Sequence, residues 1–342
     1  MSFKNIIGHQ EEIKFLQTVL KTQRIAHAYL FYGPEGVGKQ FCALQFATAL
    51  LCEKPKDGDA CGKCSSCVRV QRQTHPNLHR IEKEESKLNL LKDDVVTSLK
   101  EISLKAVGGS RRIYLIPEAD RMSPIIANLL LKTLEEPGVD IIFILLTTDL
   151  TAILPTIISR CQLVRFYRLS RELIKSQLLE QSQIAESEAD LYALLAEGSL
   201  GRAKHLVEGE FLTARNQVLD IISGFNGAQT IRVFRTAEEL LDAELDFAEL
   251  TDLLMVWFRD ILIYQRTGVQ SRGLLMNPDK ETAVARSAAI WSAEQLEQAI
   301  NQLAMVKQLY RKLGGRGYGY GSWYSGMNQQ LAVESVLLPL SK

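Results

Sequence analysis

A glycine-rich stretch near the N-terminus has the residues and spacing that bind phosphate. The segment "YLFYGPEGVGKQ" contains the pattern GxxxxGK directly after an apolar, strand-like run, with Gly33, Gly36, Gly38 and Lys39 as its glycines and lysine. Glycines allow successive backbone N–H groups to turn toward phosphate oxygens, and a helix that follows adds its positive end. The lysine would reach the β- and γ-phosphates of a nucleotide. The segment predicts a nucleotide-binding loop, and the plainer alternative is an ordinary strand–turn–helix connection.

The positions that hold magnesium in such sites carry the wrong residues. A Ser or Thr hydroxyl after the lysine and an Asp after a neighbouring strand normally bind the ion. This chain has Gln40 after the lysine and, in "RIYLIPEADRM", Pro117 at the Asp position. Losing each metal contact removes on the order of several kcal/mol of charge stabilisation. We expect hydrolysis to be slower by orders of magnitude, although Glu118 keeps the place of a water-orienting base. Nucleotide binding itself stays open, because the glycines and the lysine are retained.

Four cysteines follow within sixteen residues and could bind a metal. The segment "CEKPKDGDACGKCSSC" has the spacing C-x8-C-x2-C-x2-C, formed by Cys52, Cys61, Cys64 and Cys67. Four thiolates fill the tetrahedral shell of Zn²⁺, which predicts a structural rather than a catalytic zinc site. An iron–sulfur cluster is the alternative, since CxxCxxC is also a cluster spacing.

Three polar residues further along the chain could act on a nucleotide. Arg160, in "PTIISRCQ", ends a short helix and could project from the surface into the nucleotide site of a neighbouring subunit. An arginine acting in this way is worth on the order of 10³–10⁵ in rate. Thr148 ends a strand and could sense a γ-phosphate, and Arg202, in "GSLGRA", could fold back over the loop. A surface salt bridge is the plainer interpretation of Arg160.

The elements that must position these residues alternate between strand and helix. Apolar runs rich in β-branched and aromatic residues occur at 28–32, 78–82, 112–116, 141–146 and 163–167. Helical patterns separate them, which is typical of a parallel sheet covered on both faces. After Tyr167 the pattern is helical to the end, apart from a glycine-rich stretch at 314–326 that we interpret as a flexible loop. We predict domains at 1–167, with the metal module at about 52–67, at 168–209 and at 210–342.

Composition excludes several classes of protein. Formal net charge is zero, with 46% apolar and 23% charged residues. A stand-alone zinc-dependent DNA-binding protein is therefore disfavoured, because such proteins carry strong basic patches. No apolar run approaches the length of a membrane span, and the N-terminus is too polar for a signal peptide. We expect a cytoplasmic protein without a membrane partner, in which clustered cysteines indicate metal before disulfides.

The motifs, taken in order, resemble the AAA+ clamp-loader subunits of bacterial DNA polymerase III. The resemblance rests on "AHAYLFYGPEGVGK", the four-cysteine insert, "NLLLKTLEEP", "LLTTD" and "PTIISRCQ". It covers residues 1–210 firmly and the rest loosely. It implies an α/β AAA+ domain with a parallel sheet and a zinc-binding insert, then a small helical lid domain and an all-α collar domain.

The resemblance also implies partners and a role. The partners would be the motor (gamma/tau) and delta subunits in a heteropentamer within the polymerase holoenzyme, and, through that complex, a sliding clamp and primer–template DNA. Gln40 and Pro117 then imply a stator without intrinsic ATPase activity, whose Arg160 completes the ATP site of a neighbour. The alternative is an active clamp-loader ATPase whose metal is held in another way.

Overall fold

The structure is a computed structural model that describes residues 2–81, 111–122, 124–136, 138, 140–209, 211–226, 230–312 and 328–341. The chain divides into two compact units, Met1–Gly201 and Arg202–Lys342. The glycine-rich stretch 314–326, which we interpreted as a loop, lies outside the described residues, as does the long segment 82–110.

A parallel sheet forms the centre of the first unit. Its strand order is β2-β3-β4-β1-β5, and every neighbouring pair is parallel. The strands are β1 (Ala28–Tyr32), β2 (Leu78–Arg80), β3 (Arg112–Ile116), β4 (Ile141–Thr147) and β5 (Gln162–Arg165). This confirms the parallel sheet predicted from the sequence. Because parallel strands end at the same edge, the turns after β1, β3 and β4 lie side by side.

Helices cover both faces of this sheet. The helices on the sheet are α1 (Gln10–Thr22), α2 (Lys39–Leu51), α3 (Ser65–Gln71), α4 (Pro124–Glu135) and α5 (Pro155–Ile158). After β5, α6 (Arg171–Gln181) packs against α7 (Glu186–Leu195), and α8 (Leu200–Glu208) begins where the unit ends. Alternate residues of β1 face opposite ways: Tyr29 and Phe31 pack in the core that contains α2, whereas Leu30 packs in the core that contains α4. Two hydrophobic cores therefore hold the sheet between its helices.

The second unit is helical throughout its described residues. Its α-helices are α9 (Phe211–Gly224), α10 (Thr230–Leu241), α11 (Phe247–Thr267), α12 (Glu281–Ile290), α13 (Ala293–Lys312) and α14 (Gln329–Leu337). They share one core around the fully buried Trp257 and Phe258 of α11. The predicted all-helical C-terminal region is confirmed. Within the part of the chain that the structure describes, no helix combines the length and the apolar character needed to cross a membrane.

A buried polar network fixes the chain before α12 to α9 and α11. The guanidinium of Arg215, which is fully buried, donates to Asn277 Oδ1 and to both carboxylate oxygens of Asp279 at 2.8 Å. The carboxylate of Asp260, also fully buried, accepts from Asn277 N and Nδ2 at 2.8 Å each. Burial raises the pKa of Asp260, although the hydrogen bonds from Met276 and Asn277 oppose that effect. The network is compensated internally, as buried charges require.

Candidate nucleotide site, surface arginine and metal centre

The glycines and lysine of the predicted phosphate-binding loop lie in the turn between β1 and α2 and at the start of α2. Gly33 N donates to Thr147 O at 3.3 Å, which ties the loop to the end of β4. Gly33 has a φ of +147°, and a Cβ there would lie 2.2 Å from the carbonyl oxygen of Phe166. Gly38, with a φ of +108°, stands directly before the first residue of α2. Only glycine fits both the left-handed backbone and the close approach at Gly33.

The Lys39 side chain extends toward the start of this loop and contacts its backbone. Its Nζ donates to the carbonyl oxygens of Gly33 and Pro34, each at 2.6 Å, and the residue is buried. Burial lowers the pKa of Lys39 to about 8, and the carboxylates of Glu35 and Asp120 partly oppose this. An ammonium has three donors, so two of them already serve the loop's own carbonyls. A phosphate at this site would have to compete for them.

The neighbouring turn, after β3, supplies carboxylates but none at the usual metal position. Pro117 follows Ile116, the last residue of β3, and Glu118 comes next, with its Oε2 3.7 Å from Arg121 Nη1. Gln40 is exposed on the first turn of α2. Neither Pro117 nor Gln40 offers the carboxylate or hydroxyl oxygen that Mg²⁺ takes in P-loop sites.

Thr148 faces a residue that sequence reasoning missed. Its Oγ1 donates to Asp120 Oδ2 at 3.0 Å, and this same carboxylate partly opposes the lowering of the Lys39 pKa by burial. The strand register therefore brings Thr148, Asp120 and Lys39 to one edge of the sheet. The signal in the sequence was the position of Asp120, two residues beyond Glu118 in the same polar turn.

The start of α8 contacts the phosphate-binding loop. Gly201 N donates to Gly36 O at 2.8 Å, and a Cβ on Gly201 would lie 3.1 Å from Gly36 Cα and O. The next residue, Arg202, belongs to the second unit. There its Nη2 lies 3.9 Å from Asp252 Oδ2 on α11, and Lys307 of α13 hydrogen-bonds the same carboxylate. Within its own unit Arg202 is thus placed by a helix–helix charge cluster.

Arg160 lies just after the short helix α5, which ends at Ile158. Its Nη1 donates to Thr156 O at 2.8 Å, and its Nη2 donates to Glu135 Oε1 at 2.7 Å. The side chain is 34% exposed and that of Glu135 is 52% exposed. Sequence reasoning missed Glu135, although it lies in the stretch "NLLLKTLEEP" that carried the resemblance. The arginine is at the surface, and its guanidinium is held rather than free.

The four predicted cysteine ligands come together in one cluster. Their sulfurs all lie within 4.8 Å of one another, and the Cys52–Cys64 and Cys61–Cys67 sulfur pairs are each 3.9 Å apart. A tetrahedral zinc with sulfur ligands at about 2.3 Å requires sulfurs about 3.8 Å apart. The cluster fits this geometry and could bind a metal such as zinc.

Backbone N–H groups donate to three of these sulfurs, whereas burial raises the pKa of Cys52 and Cys67. The sulfurs of Cys52 and Cys61 accept from Cys61 N and Cys64 N, each at 3.3 Å, and Cys64 Sγ accepts from Cys67 N at 3.4 Å. Hydrogen bonds from the N–H groups of Lys63 and Cys64 lower the pKa of Cys61 to about 6. Donors of this kind favour the thiolate, which is the form that binds metal.

Hydrogen bonds fasten the metal module to its surroundings on two sides. Ser66 Oγ donates to Leu51 O at 2.6 Å, His75 Nε2 lies 2.9 Å from that hydroxyl, and Asn77 N donates to His75 Nδ1 at 3.1 Å. The chain of donors assigns a neutral His75 with its proton on Nε2. On the other side, Asp59 accepts from Phe3 N at 3.2 Å. The module is therefore fixed to the end of α2 and to the N-terminal residues.

The chain is similar in sequence to subunits of DNA polymerase III. A family model described as "DNA polymerase III, delta subunit" matches residues 8–170, and one described as "DNA polymerase III, delta subunit, C terminal" matches residues 209–342. The chain is 27% identical to the DNA polymerase III subunit delta' of Bacillus subtilis (strain 168), with 96% of this chain and 95% of that protein covered.

Two further relatives are matched over shorter stretches. The DNA polymerase III subunit tau of Bacillus subtilis is 29% identical over 77% of this chain and 50% of its own length. The delta' subunit of Pseudomonas aeruginosa is 40% identical over 40% of this chain and 42% of its own length. The chain thus spans nearly the full length of the Bacillus subtilis delta' subunit, but half or less of the length of the tau subunit and of the Pseudomonas aeruginosa delta' subunit.

The sheet, the phosphate-binding loop and these matches define a subunit of the clamp-loader AAA+ class. The two family models and the full-length match narrow the class further. The chain belongs to the delta' subunit family of DNA polymerase III clamp loaders.

Proposed function

We propose that this chain is a stator of the clamp loader, a subunit that completes a neighbour's ATP site without hydrolysing ATP itself. It assembles with motor (gamma/tau) and delta subunits in a heteropentamer that loads a sliding clamp on primed DNA. The AAA+ domain spans 1–167, the lid domain 168–209 and the collar domain 210–342. The matches to delta' proteins support the assembly, while the match to a tau subunit means that similarity alone does not separate a stator from a motor.

The observation that carries the proposal is the pair Gln40 and Pro117 at the two metal positions of an otherwise well-formed phosphate loop. Two further residues of this loop and its neighbouring turn have partners within the chain. The ammonium of Lys39 is bonded to loop carbonyls, and the Thr148 hydroxyl is bonded to Asp120. A γ-phosphate would meet a lysine and a threonine that already have partners, without an oxygen ligand for magnesium at either usual place.

Arg160 supports a role in a neighbour's site. It stands at the surface of the first unit, and among the described residues only two of the five N–H donors of its guanidinium have partners. The remaining donors suit phosphate oxygens, toward which a guanidinium fork is well shaped. The phosphate would be that of a neighbouring motor subunit.

Zinc in the cysteine module has a structural role in this proposal. Protein sulfurs fill all four coordination positions, which leaves no open position for a substrate. An iron–sulfur cluster would spread its thiolates over two or four irons, whereas sulfurs within 4.8 Å of one another suit a single ion.

The test is ATP turnover by the clamp loader reconstituted from this chain, its motor and delta subunits, clamp and primed DNA. Arg160→Ala should lower turnover, by on the order of 10³-fold at the single motor site it serves. Lys39→Ala should leave turnover unchanged. Damage by Lys39→Ala, or hydrolysis of ATP by the purified chain alone, would instead favour the active-ATPase alternative.

A further inference from the structure

Beyond the arginine itself, we infer that Glu135 is the positioning residue that aims Arg160 at the phosphate of a neighbouring subunit. The inference rests on the proposed function, because it concerns how the arginine acts in trans. Glu135 itself would not contact the nucleotide and would act only through the Arg160 guanidinium that it holds.

Two contacts define the direction of the guanidinium. Nη2 donates to Glu135 Oε1 at 2.7 Å, and Nη1 donates to Thr156 O at 2.8 Å. One contact comes from the end of α4 and the other from α5, so the guanidinium is held between two helices. Because both terminal nitrogens are anchored, rotation about the last side-chain bonds is restricted. Within the part of the chain that the structure describes, Nε–H and one hydrogen on each terminal nitrogen stay available. A fork held in this way loses less conformational entropy when it meets a phosphate.

The backbone beneath both residues is fixed. Glu135 follows Leu134, which is 2% exposed, and Arg160 follows α5, whose Ile157 is fully buried. Leu134 and Ile157 belong to the same hydrophobic core. The carboxylate and the guanidinium are therefore presented from one packed body, which gives the pair a defined geometry.

A contribution to folding stability does not explain the ion pair between Arg160 and Glu135. Both side chains are substantially exposed, 34% for Arg160 and 52% for Glu135, and ion pairs of this kind contribute little to folding. We therefore assign the ion pair a role in positioning the Arg160 guanidinium. A preorganised guanidinium stabilises charge in the transition state even where its contact with Glu135 contributes little to folding.

The experiment compares Glu135→Ala, Glu135→Gln and the neighbouring Glu136→Ala in the reconstituted clamp loader. Glu136 is exposed, follows α4 and is the matched control. We expect Glu135→Ala to lower kcat for ATP by about two- to fivefold at the motor site that Arg160 serves, the range set by an exposed ion pair, with KM unchanged. Glu135→Gln, which keeps an oxygen acceptor, should recover most of the rate, and Glu136→Ala should match wild type.

A double variant separates positioning from an effect on folding. In the Arg160→Ala background, Glu135→Ala should cause no further loss, because the two changes remove one interaction. Wild-type turnover in Glu135→Ala, or a higher rate caused by release of the arginine, would overturn the inference while Arg160→Ala still damages turnover. If Arg160→Ala itself has no effect, the proposed function fails, and the two failures are thus distinguished.

Discussion

Replacing one cysteine of the metal module should release the ion and lower thermal stability without unwinding the helix beside it. Cys64 is the residue to change, because its sulfur also caps α3 by accepting from Cys67 N. Ser is a good helix cap, so Cys64→Ser keeps the cap and removes only the metal ligand. The variant therefore isolates the contribution of the metal.

The size of the effect follows from binding linkage. Free zinc at about a thousandfold above Kd stabilises the folded state by about 4 kcal/mol. For a unit the size of Met1–Gly201, each kcal/mol shifts Tm by roughly 2–4 °C. Cys64→Ser should therefore lower Tm by about 8–16 °C under those conditions. The assays are zinc content by elemental analysis and Tm by thermal denaturation, with and without a chelator.

The matched control is Cys161→Ser. Cys161 is a half-buried free cysteine outside the cluster, so this variant should keep one zinc per chain. A chelator should lower the Tm of wild type and of Cys161→Ser but leave that of Cys64→Ser unchanged. Retention of one zinc per chain by Cys64→Ser would refute the four-cysteine assignment, and a wild-type Tm that ignores the chelator would refute the stabilising role.

Three further perturbations test other parts of the fold. Gly33→Ala places a Cβ 2.2 Å from a backbone carbonyl oxygen and should lower the free energy of unfolding, measured by chemical denaturation, by about 3 kcal/mol. Gly38→Ala is the control: its Cβ would meet nothing within 4 Å, so only the backbone strain of about 1–2 kcal/mol should be lost. Asp260→Ala leaves four donors, Arg259 Nη1, Met276 N and the N and Nδ2 of Asn277, without their acceptor and should destabilise the second unit by about 3–5 kcal/mol. A loss below about 1 kcal/mol would contradict the buried network. Burial, aided by the charge of Arg69, lowers the pKa of His75 below 6.5. Between that lowered pKa and about 6.5 the unfolded chain therefore binds more protons than the folded chain. The free energy of unfolding should fall as the pH drops through this window. His75→Gln should remove this slope in denaturation curves taken across that window.

The sheet could be predicted because its central strands are short apolar runs. All residues of β3 and β4 are buried, and a strand buried on both faces leaves a continuous apolar stretch in the sequence. The edge strand β2 was harder to delimit: the predicted run extended to residue 82, while the structure gives Leu78–Arg80. Edge strands have fewer neighbours, so packing imposes less on their sequence.

Candidate site residues that are close in sequence could be recognised from the sequence, whereas residues paired across the fold could not. The loop glycines and the four cysteines can be recognised by their spacing in the sequence. Asp120 and Glu135 do not, because their partners Thr148 and Arg160 are 28 and 25 residues away in sequence. Only the strand register and the helix packing decide that these side chains meet, and both are long-range properties.

The strand order has a consequence for synthesis on the ribosome. β1 is made early, but it pairs with β4 on one side and with β5, the last strand, on the other. Until residue 165 has left the ribosome, one edge of the apolar strand Ala28–Tyr32 has no neighbour. Unpaired apolar edges of this kind promote association between nascent or truncated chains. Fragments that stop before β5 should therefore aggregate, even though they contain the whole phosphate-binding loop and the whole cysteine module.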